Sequence, residues 1–131
     1  MTVAVAHSDT DQGKAALRKA AAEAALHGEP LAVLHIVPGL EDSSAAVPVI
    51  EASVRETLGD RPDLVIEVHT AAEGHSLAGA LVDLATEVDA SLLVIGSRRR
   101  SAVGKLLLGS TVQRVLLDAP MAVLVVKADG D

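Results

Sequence analysis

Leu92 to Lys127 reads LLVIGSRRRSAVGKLLLGSTVQRVLLDAPMAVLVVK. A short apolar run, Leu92 to Ile95, breaks at Gly96. Three arginines follow, Arg98, Arg99 and Arg100, then Gly104, Lys105 and a glycine-hydroxyl cluster at Gly109, Ser110 and Thr111. A helical pattern, a proline and a last apolar run close the stretch. The order is strand, glycine-bounded basic loop, helix, strand. A glycine at the end of a parallel strand lets the backbone turn and come close to a ligand. The first amides of a helix have no partner inside it, and the dipole makes that end positive. Ser110 fits an N-cap, and Gln113 three residues on completes the spacing of a capping box. Its hydroxyl is available to the helix, to a phosphate, or to both. Arg98, Arg99, Arg100 and Lys105 are a local exception in a chain of net charge -7. Loop charge is often mere solvation, but cations beside a helix N-terminus point to a phosphate or other anion site.

Working outward from this stretch, Val3 to Ala6 is the first strand and His7 to Asp11 a polar turn with helix-capping residues. Asp11 to His27 reads as a helix, with Ala16, Leu17, Ala20, Ala21, Ala24 and Ala25 on its apolar face. Small alanines there permit close approach to a sheet. Gly28 ends the helix and Pro30 follows. Leu31 to Val37 is the second strand. Val47 to Leu58 is a helix with Pro48 near its first position. Leu64 to His69 alternates like an edge strand with one wetter face. Ser76 caps a third helix running to about Val88. Leu92 to Ile95 is the fourth strand, Thr111 to Leu117 the last helix, and Ala122 to Val126 the fifth strand. Strands alternating with helices make residues 1–131 a single α/β domain, a doubly wound parallel sheet with helices on both faces. The first, second and fourth strands are nearly continuously apolar, as doubly covered strands are. Ligands of such sheets sit outside the carboxyl ends of the strands, where strand order reverses.

Composition removes several function classes. No apolar run approaches 18 residues, so no membrane span is expected. No basic segment followed by an apolar core opens the chain, so no signal peptide is expected. Cysteine is absent, which excludes thiolate chemistry and makes a cytoplasmic address the expectation. Phe, Tyr and Trp are also absent, so a bound base must lie against aliphatic or backbone surface, and stacking platforms for single-stranded nucleic acid are excluded. The acidic balance argues against nucleic acid generally. His7, His27, His35, His69 and His75 show no close-paired ligand spacing, and no metal is assigned. His7 alone is expected at a ligand-facing strand end, and His35 reads as a strand histidine. His69 and His75 flank the loop after the third strand. Ser8 and Ser97 lack the strand-turn-helix setting of a hydrolase nucleophile. Gly104-Lys105 lacks the spacing of a P-loop. No general base is placed to activate water, and no catalytic residue is assigned.

Gly96, Gly109 and Ser110 have the separation of a motif written glycine, two residues, glycine, nine residues, glycine, then serine or threonine. On these residues, and on the closing strand Ala119-Pro120-Met121-Ala122-Val123-Leu124-Val125-Val126, the chain resembles the universal stress proteins over nearly its whole length. The resemblance implies a five-stranded sheet of order 3-2-1-4-5. It places Ala6, His7, Val37, Ile95, Gly96, Arg98, Arg99, Gly109, Ser110 and Thr111 around one crevice, with ATP or a related nucleotide as ligand. Two positions depart from the family pattern. Arg99 stands where the second motif glycine would be, and Ala6 stands where nucleotide-binding members carry an Asp. Asp9 and Asp11 lie further along that turn. The family's pairing of last strands implies a homodimer through Ala122 to Val126, an edge apolar on both faces. The expected function is a cytoplasmic regulatory protein of this type, with a nucleotide phosphate-binding loop from Gly96 to Thr111 and an unknown protein partner. Two further readings stay open: a dimeric interaction module with a degenerate site, and a slow nucleotide hydrolase.

Overall fold

The computed structural model describes residues 1–39, 42–98 and 108–128. Arg99, Arg100, Gly104 and Lys105 therefore lie outside the described residues. The strands are β1 (Thr2–Ala6), β2 (Leu31–Val37), β3 (Ile66–Ala72), β4 (Ala90–Ser97) and β5 (Ala122–Lys127). All pairings are parallel, and the order is β3-β2-β1-β4-β5, as expected. The helices are α1 (Asp11–His27), α2 (Val47–Leu58), α3 (Leu77–Glu87) and α4 (Ser110–Asp118).

Successive strand residues point to opposite faces, so each central strand feeds two cores. Val3, Val5, Leu31, Val33 and Val94 face α1 and α2, meeting Ala16, Leu17, Ala20, Ala21, Ala24, Ile50 and Val54. Ala4, Ala32, Leu34, Leu93 and Ile95 face α3 and α4, meeting Ala78, Leu81, Leu84, Ala85, Val112 and Val115. Ala16, Leu17, Ala20, Ala21 and Ala24 of α1 are buried, which seats that helix close over β1 and β4, whereas Ala25, expected on the same face, is exposed. Thr10 starts it by accepting the Gly13 amide at 3.0 Å, and Gly28 ends it in the left-handed region at φ 64°. Ser76 caps α3, accepting the Gly79 amide at 2.8 Å.

Three expected boundaries move. The third strand begins at Ile66 and runs to Ala72, because β2 offers seven partners, ending with Ile36 to Ala71 and Val37 to Ala72. Leu64 instead closes a turn onto the Arg61 carbonyl, beside a two-point Arg61–Asp63 ion pair. His69 consequently lies inside β3 and not beside a loop. Ser110 is not the N-cap of α4. Gly109 takes that place in an extended conformation, its carbonyl accepting the Gln113 amide at 3.1 Å. Glycine is an acceptable N-cap, so the helix starts one residue earlier. The Gln113 side chain donates to the Leu108 carbonyl at 2.8 Å rather than closing a capping box. Finally, β4 extends from Ala90 to Ser97, beyond the apolar run Leu92 to Ile95, because β5 pairs along it as far as Ser97 with Lys127.

Candidate functional site

Strand order reverses between β1 and β4, and a cavity of about 390 Å³ opens there at the carboxyl edge of the sheet. Ala6 and His7 reach it from β1, His35 and Ile36 from β2, and Ile95 and Gly96 from β4. Leu77 and Leu81 of α3 and Thr111 and Val112 of α4 supply an aliphatic wall. Asp9 and Gln12 stand on the remaining side.

A second chamber of about 300 Å³ shares Gln12, Gly96 and Val112 with the first and adds Ser97, Arg98, Leu108 and Gly109. It lies at the head of α4, where the opening amides have no partner within the helix. Ser97 is 3% exposed, and among the described residues its Oγ is the buried side-chain polar atom without a hydrogen-bond partner. A buried hydroxyl left unpaired costs about 1–3 kcal/mol. Ser97 is also among the residues that line the chamber, so a small movement of its wall would offer this hydroxyl to a ligand oxygen.

Of the residues expected at the site, Ala6, His7, Ile95, Gly96 and Thr111 come together in the first chamber, and Gly96, Arg98 and Gly109 in the second. Ser110 faces a neighbouring hollow with Ser76, Thr111, Arg114 and Asp118. Val37 is not on the walls of either chamber; its carbonyl accepts the Glu73 amide at 2.8 Å. Arg99 lies outside the described residues. Gly96 also has a packing role beyond the one expected of it. A Cβ there would run into the Gln12 carbonyl and lie 2.6 Å from its carbon, so the missing side chain admits the backbone of α1. Gly13 does the same for the Ser8 backbone.

Sequence reasoning missed Gln12, Ser97 and the partnership of His7 with His35. His35 is a strand histidine, as expected, but its Nδ1 lies 3.1 Å from the Nδ1 of His7. His7 therefore does not stand alone. The signal lay in register: Ala6 pairs with Leu34, and the His7 amide continues the ladder to the Leu34 carbonyl, which sets the next residues side by side. The His7 Nε2 lies 3.3 Å from Ser53 Oγ. Burial lowers the pKa of His7 below its ordinary value, and His35 lowers it further, while Asp9 acts in the opposite sense. Burial lowers that of His35. Both rings are thus neutral near pH 7. The order Ser53, His7, His35 follows that of a hydroxyl, base and orienting group. Ser53 is not on the walls of the crevice, however, so no substrate in it meets that hydroxyl. Among the described residues no three metal-ligating side chains converge, and no helix is long and apolar enough to cross a membrane.

Comparison with known proteins agrees with this fold. The universal stress protein family matches residues 1–127. A Thermus aquaticus universal stress protein is 32% identical, over 96% of this chain and 98% of its own. One from Mycolicibacterium smegmatis is 64% identical over 42 residues, 32% of either chain. Among solved structures, an Archaeoglobus fulgidus universal stress protein superposes with a TM-score of 0.76 at 33% identity, covering 97% of this chain and 98% of that one. A universal stress protein in complex with cAMP gives 0.75 at 26% identity, with 98% of each chain covered. A universal stress protein from A. fulgidus in complex with dAMP gives 0.70 at 29%, covering 97% of this chain and 98% of that one. A family match over residues 1–127, with a relative 32% identical over nearly the whole of both chains, makes this chain a member of the universal stress protein family.

Proposed function

We propose that this protein is a nucleotide-responsive regulatory module, and that an adenine nucleotide is its ligand. The phosphate lies in the chamber at the head of α4, within reach of Ser97 Oγ, the first amides of α4 and Arg98. The nucleoside lies in the larger chamber against Ile36, Leu77, Leu81 and Ile95, because the chain has no aromatic ring to stack on it. The observation that carries this reading is the buried, unpartnered Ser97 hydroxyl at the wall of a chamber beside a helix N-terminus. The relatives solved with cAMP and with dAMP support the same ligand class. With Ala6 in place of the acidic residue, the polar contacts of the nucleoside fall to His7, His35, Asp9 and Gln12.

Calorimetric titration with AMP, cAMP and ATP tests the proposal and ranks the three. Binding by one of them, weakened about tenfold in Ser97→Ala, supports it; one lost hydrogen bond to a charged group accounts for about 1.5 kcal/mol. No heat with any of the three at millimolar concentration refutes it. We further propose that two copies pair through β5. That strand bonds to β4 on one side only, and Val123 to Val126 are apolar toward both cores. A sedimentation mass of two chains is expected; a mass of one chain at micromolar concentration refutes the pairing.

A further inference from the structure

We infer that the His7–His35 pair takes up one proton when an anion occupies the crevice, so that anions bind more tightly as the surroundings become more acidic. The inference rests on the anion-site reading above, and the geometry of the pair adds the coupling. The two Nδ1 atoms are 3.1 Å apart and the ring centroids 5.2 Å apart at 67°. A neutral pair holds one proton between these nitrogens, one ring donating and the other accepting. Adding a proton leaves that hydrogen bond intact and makes it charge-assisted. Adding a second sets two N–H groups face to face, so the contact breaks. The pair is therefore a store for one added proton, with His7 Nε2 steadied by Ser53 Oγ.

Among the described residues lining the cavity, Asp9 is the other titratable group, and β3 sets Thr70 beside His35. The turn between β1 and α1 supplies Asp9, which favours the protonated pair and whose carboxylate is drawn toward Lys14 of α1 at 3.9 Å. Helix α1 supplies Gln12 and α2 supplies Ser53; α3 supplies Leu77 and Leu81, and α4 supplies Thr111 and Val112. Burial and mutual repulsion keep the rings neutral without a ligand. The chamber that would hold an anion shares Gln12, Gly96 and Val112 with the cavity that both rings line, so the two adjoin and the anion's field reaches the rings. A unit charge about 10 Å from a phosphate, at an effective dielectric of about 20, changes affinity roughly tenfold.

The test uses cAMP, whose single charge does not change between about pH 5.5 and about pH 7.5, the range in which histidine titrates. Calorimetry in two buffers of different ionisation heat counts the protons taken up. The expected result is roughly tenfold tighter binding at the lower pH, with uptake of up to one proton, both lost in the double variant His7→Asn/His35→Gln. Should that variant not fold, the proton count on the wild type decides alone. A second arm follows the histidine ring protons by NMR against pH, with and without sulfate, using exposed His27 and His75 as references. Sulfate is expected to raise the midpoints of His7 and His35 alone. Binding of cAMP without proton uptake overturns the inference and leaves the nucleotide reading standing. A sulfate-driven rise of the two midpoints upholds the inference even where AMP, cAMP and ATP are all silent, the result that overturns the nucleotide reading. Midpoints unmoved by either anion overturn the inference.

Discussion

Ser97→Ala separates a ligand-binding hydroxyl from a structural one, because the two roles predict opposite signs. The Oγ is buried without a partner, so removing it relieves a desolvation cost and leaves a methyl group of ordinary core size. The relief is about 1 kcal/mol, the low end of the penalty for an unsatisfied buried group. An unfolding entropy of about 2 cal/mol/K per residue over 131 residues converts this into a melting temperature about 4 °C higher without ligand. The same change removes a donor from the wall of the second chamber, so nucleotide binding weakens about tenfold. Paired melts with and without ligand, by calorimetry or far-ultraviolet circular dichroism, read both effects on one sample. A lower melting temperature refutes the reasoning, since it means that the hydroxyl is satisfied in the folded chain. A higher one with unchanged affinity refutes the placement of phosphate beside Ser97.

Gly96→Ala forces a Cβ into the Gln12 carbonyl, where backbone meets backbone and neither yields easily. A loss of about 1–3 kcal/mol in urea unfolding is expected; a loss within about 0.5 kcal/mol would show that the helix shifts freely. Thr10→Ala removes the side-chain cap of α1 and costs about 1 kcal/mol in the same assay; an unchanged midpoint contradicts the cap. Stability without ligand should fall as pH drops below about 6.5. In that window the unfolded histidines bind protons while His7 and His35, whose folded pKa values are lowered, do not. Above it both states are neutral, and below the folded values both are charged, so the slope disappears at either end. The double variant His7→Asn/His35→Gln should lose most of this slope in melts between about pH 5 and about pH 7.5; an unaltered slope would assign it elsewhere.

The fold was legible in the sequence for a physical reason. Two-sided burial forces continuous apolar runs in β1, β2 and β4, and alanine-rich spacing marks the face of α1 that must approach them. Edge elements were less legible. β3 is half exposed along its length, so its ends follow the reach of β2 and not its own composition. The start of α4 was misread because both Gly109 and Ser110 can cap, and only the backbone decides between them. At the site, reasoning by strand ends found Ala6, His7, Ile95 and Gly96. It missed Gln12 and His35, whose place depends on how neighbouring chains register across 28 residues and on how closely α1 sits over β4.

That closeness bears on how the glycine motif is to be read. Gly96 is required by the packing of α1 whether or not anything binds, since any side chain would strike Gln12. A Cβ at Gly109 would meet no atom of the described residues within 4 Å, so packing among them does not require a glycine there. The two glycines therefore answer to different constraints, and retention of the first says nothing about a ligand. Evidence for binding must come from groups whose arrangement costs the fold something: a buried hydroxyl with no partner, and two desolvated imidazoles held nitrogen to nitrogen. A chain under no pressure but folding gains stability by replacing each of them with an aliphatic residue. Ser97 and the two histidines lie among the residues lining adjoining chambers, so their replacement by aliphatic residues is the comparison that bears on binding.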